Sequence, residues 1–107
     1  MTDETSPIMG GVHRDDNRFF VVEDGVVAEL VYEVDGDRLT LVHVGVPDEQ
    51  SGKGIASALV AAAIEWARIE GLTVVPRCPF ARKWLREHAD DTADVTIDWQ
   101  SRPQARR

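Results

Sequence analysis

The sequence predicts an α/β protein of the α+β kind: an antiparallel meander, then a parallel β-α-β unit, then a second short helix, sharing one mixed sheet. Three observations carry that expectation. Short β-prone runs in the first half are separated by Asp24-Gly25 and Asp35-Gly36-Asp37, both hairpin turn signals. A stretch from about Gly52 to Glu70 repeats apolar residues at helical spacing. A further apolar run, Leu72–Pro76, follows it directly, and a strand reached through a helical crossover lies parallel to the strand before it.

Taken in order, residues 1–11 are polar and Gly-rich and read as a flexible N-terminal arm. Arg18–Val22 is a short strand. In Val26–Val34, Val26, Ala28, Leu30, Tyr32 and Val34 fall on one face, while Glu29 and Glu33 fall on the other. Leu39–Val46 is apolar on both faces, as a central strand covered on both sides would be. The helix over 52–70 places Ile55, Leu59, Ala62, Trp66 and Ile69 on its buried stripe, and Gly71 stops it. Pro79 suits the first turn of a second helix, Phe80–His88, with Phe80, Trp84, Leu85 and His88 on its apolar side. Val95–Trp99 alternates and reads as a last strand. The basic stretch 101–107 reads as a flexible tail, which leaves 12–100 as a single domain.

A chain of 107 residues supports one core and no second one. Twelve basic residues against 19 acidic ones give a net charge of −7, the wrong sign for a nucleic-acid binder. Such a surface attracts an amine or a basic peptide, and it equally serves solubility. The single cysteine, Cys78, rules out an internal disulfide and a thiolate zinc cluster, and no metal site is expected. No apolar run has the length of a membrane span, and the first residues lack a basic, apolar signal peptide, so a cytoplasmic location is expected.

Three places carry candidate chemistry. The first runs from Val42 to Ala56, where an apolar strand ends at Pro47 and a polar loop leads through Gly52, Lys53 and Gly54 into the long helix. A helix start presents unpaired N–H groups and the positive end of its dipole, and glycines allow close approach of an anion. The Walker pattern does not fit, because Pro47 and Gly54 stand where glycine and a hydroxyl residue are needed. The dinucleotide fingerprint fits only in part, with Ser57 in its third place and an antiparallel meander before it. The alternative is that the glycines only ease the strand–helix turn.

The second place is Cys78, at the start of the last helix between Arg77 and Arg82. Helix N-termini and nearby cations favour a reactive thiolate, whereas an inert buried cysteine is the alternative. The third is His43, which simple alternation puts on the face of Leu39, Leu41 and Gly45. It reads either as a base working near neutral pH or as a hydrogen-bonded core histidine.

The order V-P-x-x-x-x-G-K-G-I-A-S-x-L-V, amphipathic helix, E-G-L-x-V-V-P-x-C-P-F, short helix resembles the small GCN5-related N-acetyltransferases of the YjdJ type, over about Asn17 to Asp90. The resemblance implies a GNAT-like mixed sheet and acetyl-CoA as co-substrate. It implies diphosphate contacts from Ser51, Gly52, Lys53, Gly54, Ile55 and Ala56, and pantetheine contacts from the backbone of Val44 and Val46 between splayed parallel strands. Phe80 and Lys83 would line the CoA side. The acceptor implied is a primary amine, either a small amine or a protein lysine or N-terminus, with the protein a monomer or weak homodimer away from nucleic acid and membrane. Cys78 would be the general acid or a transient acetyl carrier, and His43 or a water would take the amine proton. Two departures stand out: Ser51 where the family usually has Arg or Gln, and Gly45 where this small group commonly has glutamate. Tyr32, the only tyrosine, does not match the tyrosine acid of larger members. A CoA-binding or protein-interaction module without turnover is the rival reading.

Overall fold

The computed structural model describes residues 11–50 and 52–99; the expected tail and all of the expected arm but Gly11 lie outside these residues. Five strands form one sheet in the order β1 (His13–Arg14), β2 (Arg18–Glu23), β3 (Val26–Asp35), β4 (Arg38–Gly45) and β5 (Thr73–Pro76). β1 to β4 are antiparallel neighbours, and β5 runs parallel to β4. The expected meander and parallel crossover are therefore present. β1 is an addition, too short to show alternation, held by pairing His13 with Phe20 and Arg14 with Phe19. The hairpin between β2 and β3 turns on Asp24 and Gly25, whose φ values of 53° and 77° are those of the mirror-image turns that match strand twist.

Helix α1 covers Ile55–Glu70 and α2 covers Pro79–Glu87. α1 begins three residues later than Gly52 because Gly52 and Gly54 hold left-handed backbone, φ 81° and 76°, which a right-handed helix cannot include. Its buried residues are Ile55, Leu59, Val60, Ala62, Ala63, Ile64 and Ala67. Ile69, expected in that stripe, is 68% exposed, since the stripe centres on Leu59, Ala63 and Ala67 and leaves position 69 on its flank. On α2, Ala81, Trp84 and Leu85 are buried, while Phe80 is partly exposed. These join Phe19, Ala28, Leu30, Tyr32, Leu39 and Leu41 of the sheet in one apolar cluster. Each fully buried aliphatic or aromatic side chain there contributes about 1.5–3 kcal/mol.

The expected strand Val95–Trp99 reduces to one parallel bridge, Val74 with Ile97. Val74 donates to Thr96 O at 2.9 Å and accepts from Asp98 N at 2.8 Å. The next residue able to extend that ladder on β5 is Pro76, which has no N–H.

β4 departs from simple alternation. Tyr32 faces Leu41 but Val31 faces His43, so Val42 is an extra residue in β4, a bulge. Before it, Leu39 and Leu41 point into the core; after it, Val44 and Val46 pack against the core, and His43 is exposed. The placement of His43 on the face of Leu39 and Leu41 is thus corrected, because one extra residue exchanges the two faces. The same fact corrects the expectation of a strand covered on both sides.

Candidate functional site

β4 and β5 stay paired only from Arg38 with Thr73 to Leu41 with Pro76. There the Leu41 carbonyl accepts from both Arg77 N, 3.1 Å, and Cys78 N, 3.0 Å, which turns the chain away from β4 and into α2. Beyond Leu41, β4 continues through the bulge to Gly45 with no pairing to β5. The two parallel strands therefore part, and among the described residues the β5-facing edge of β4 has no strand partner from Val42 to Gly45.

The chain leaves β4 through a short 3-10 turn, Asp48–Gln50, and reaches α1 by Gly52, Lys53 and Gly54. Gly54 is the N-cap of α1; no side chain caps this end, and its first turn holds no acidic residue. Among the described residues, the backbone donors and the positive end of this 16-residue helix thus have neither a side-chain cap nor a carboxylate in the first turn. A Cβ placed on Gly52 or Gly54 would meet nothing within 4 Å, so the space over the turn is open. A cavity of about 250 Å³ lies against it, lined by Val46, Gln50, Gly52, Gly54, Ile55, Ala56, Ser57 and Phe80.

Of the residues expected to hold a cofactor, Val46, Gly52, Gly54, Ile55, Ala56 and Phe80 thus come together at one cavity. Val44 lies on β4 at its open end. Lys53 directs its ammonium to Glu23 Oε1 at 3.2 Å. Lys83 stands outside this lining, mostly exposed, with its Nζ 3.8 Å from Glu87 Oε2. Ser51 lies outside the described residues. Gln50 and Ser57 are the lining residues that motif and periodicity did not single out. A polar residue just ahead of the glycines was the only sign of Gln50.

Val46 also borders a second, shallower cavity of about 460 Å³ with Arg18, Val27, Glu29, Gly45 and Pro47. Glu29 is the cross-strand partner of Gly45, so a carboxylate stands beside the position where the resemblance led one to expect glutamate. Arg18 holds it, with Nη1 3.0 Å from Glu29 Oε1 and Nε 3.2 Å from Asp15 Oδ2. The hydrogen bond to Glu29 and that to Asp15 raise the Arg18 guanidinium above its ordinary range.

His43 and Cys78 stand outside the lining of both cavities. The His43 ring lies over Gly45, with Nε2 3.3 Å from where a Cβ on Gly45 would stand. Cys78 is 5% exposed within the apolar cluster and is the N-cap of α2 with no side-chain capping bond. Arg82 donates from Nη1 to Pro76 O at 3.1 Å, and its guanidinium lies 5.5 Å from the Trp99 ring. Tyr32 is committed to structure, donating its hydroxyl hydrogen to Asp15 O.

Together these features define an α+β protein with a cavity at the parting ends of two parallel strands, floored by a glycine turn without a side-chain cap. Residues 18–95 match the family described as GCN5-related N-acetyl-transferase, and the chain belongs to that family. It is similar to protein NATD1 of Gallus gallus and of Mus musculus, 37% identical over 62 residues, which is 57% of this chain and 56% of theirs. Protein NATD1 of Homo sapiens matches at the same identity over 55% of its length. The chain thus spans little more than half the length of these curated relatives. It is also similar to the solution structure of a GCN5-like candidate N-acetyltransferase from Staphylococcus aureus. That likeness has a TM-score of 0.66 at 26% identity, over 98% of this chain and 100% of the other.

Proposed function

We propose that the protein is a small acetyl-CoA-dependent N-acetyltransferase of the YjdJ type that acetylates a primary amine. The observation that carries this reading is the cavity joining the uncapped start of α1 to the open edge of β4. The donor atoms fit the ligand: backbone N–H groups suit a diphosphate, and an unpaired strand edge suits the amides of pantetheine. When bound, acetyl-CoA supplies a thioester whose carbonyl carbon an amine can attack.

In this reading the N–H groups of Gly52 to Ala56 bind the diphosphate, with Ser51 beside them. Lys53 contributes through its backbone, its side chain being matched by Glu23. The edge at Val44 and Val46 orients the arm and meets the developing negative charge on the carbonyl oxygen. Phe80 lines the cavity, and Lys83, beyond that lining, adds positive charge on the CoA side. His43, or a water it holds, takes the proton from the amine, and Cys78 returns one to the leaving sulfur.

Calorimetry with acetyl-CoA, followed by CoA release with a panel of small amines and basic peptides, tests the reading. Binding with turnover is expected. Binding without turnover on any acceptor favours the module, and no binding at millimolar ligand removes both. Cys78→Ala is expected to lower kcat at least about tenfold with acetyl-CoA affinity within about twofold of the parent. Full turnover in that variant would exclude the thiol as acid.

A further inference from the structure

Gln50 closes the Asp48–Gln50 turn and is only 2% exposed, although it is a polar residue in a loop. Its Nε2 donates to Val26 O at 3.0 Å. A carbonyl can only accept, so this contact fixes which end of the carboxamide is nitrogen and which is oxygen. The oxygen, Oε1, is buried and has no hydrogen-bond partner among the described residues. Gln50 lines the cavity over the glycine turn, whose other walls at Val46, Ile55 and Phe80 are apolar.

An acceptor held in this way suits a ligand that brings an N–H or O–H group, because a buried acceptor without a donor is unfavourable. A phosphate at neutral pH brings acceptors only and is repelled by Oε1. The two ends of the cavity therefore differ in kind: backbone donors at Gly54–Ala56 for an anion, and one side-chain acceptor at Gln50 for a neutral donor. CoA carries both, since its diphosphate is joined to an arm with two secondary amides.

We propose that Gln50 Oε1 accepts a hydrogen bond from an amide N–H of the pantetheine arm, so that the cavity distinguishes CoA from a bare nucleotide of similar charge. The proposal rests on the acetyl-CoA reading above. It assigns the selection to a residue outside the glycine motif, one whose own position is set by β3 through Val26.

The test compares three ligands by calorimetry on the full chain. They are CoA, adenosine 3′-phosphate 5′-diphosphate, which lacks the arm, and CoA analogues in which one arm amide N–H is replaced by an ester oxygen. The parent is expected to bind CoA at least about tenfold more tightly than the nucleotide, and one ester analogue is expected to lose most of that gain. In Gln50→Leu the affinity for CoA falls about tenfold, the nucleotide affinity stays within about twofold, and the ester analogue binds as CoA does. Unchanged nucleotide binding also reports that the turn is intact. Should Gln50→Leu not fold, the ester analogues on the parent protein decide alone. Equal binding of CoA and both analogues by the parent overturns the role of Gln50 and leaves the acetyl-CoA reading standing. No binding of CoA by the parent overturns both.

Discussion

Gly54 and Gly71 hold nearly the same left-handed backbone at the two ends of α1, φ 76° and 70°, and neither would press a Cβ into protein. Alanine at either position costs about 1–2 kcal/mol of backbone strain. Only at Gly54 does the added methyl enter the space over the proposed ligand site. Gly54→Ala is therefore expected to weaken acetyl-CoA binding at least about tenfold, whereas Gly71→Ala loses similar stability and keeps its affinity. Calorimetry beside urea unfolding separates the two, and equal affinities in both variants would remove the turn from the site. The glycines were legible in the sequence because their chemistry is local. His43 was not, because its facing depends on one extra residue that strand periodicity does not reveal. Gln50 was hidden for another reason: its value lies in an atom left unpartnered by a contact with a strand 24 residues away.

Among the elements, α1 and the β4–β5 pair were readable because long apolar periodicity and a glycine stop are strong local signals. The last strand was not, since the donor-free Pro76 limits what Val95–Trp99 can join. The helix α2 makes a sharper energetic point. Trp84 is 8% exposed, its ring stacks on His88 at 4.0 Å, and its Nε1–H is buried without a partner among the described residues. Trp84→Phe removes that unpaired donor, which offsets the loss of packing, so its stability is expected to stay within about 1 kcal/mol of the parent. Leu85, 1% exposed on the same helix, has no such compensation. Leu85→Ala is expected to cost about 2–5 kcal/mol. Urea unfolding of both variants checks the contrast; a loss at Trp84 as large as that at Leu85 would mean packing alone decides.

Across the whole molecule, Arg68 ties the end of α1 to the loop that follows α2. It donates to both carboxylate oxygens of Asp94, at 2.8 and 3.1 Å, to Asp91 O at 3.0 Å, and to Glu65. The hydrogen bonds from Arg68 hold the Asp94 carboxyl below its usual range. A carboxyl lowered in the folded state contributes stability that is full above the unfolded value, about 3.9, and is lost as pH falls through the folded one. The stability gap between the parent and Asp94→Asn should thus be constant from neutral pH down to about 5 and close below about 4. Urea titrations at several pH values check this, and a gap independent of pH would remove the ion pair as its source. This long-range tie had no signature in the sequence, where Arg68 reads only as one polar residue on a helix surface. The net charge of −7 was legible, and it bears on the attraction of the surface for cations rather than on the fold.

Val42 has a consequence for how this chain tolerates a change of length. Surface loops absorb a gained or lost residue at little cost, and the bulge gives β4 the same latitude. Were Val42 deleted, Leu41 and His43 would follow one another opposite Tyr32 and Val31 in plain alternation, with Val44 and Val46 still toward the helices and His43 and Gly45 still away from them. What the deletion would remove is the local bend at the point where β4 parts from β5. One residue of chain length there acts on the course of the strand, and not on which side chains face the helices.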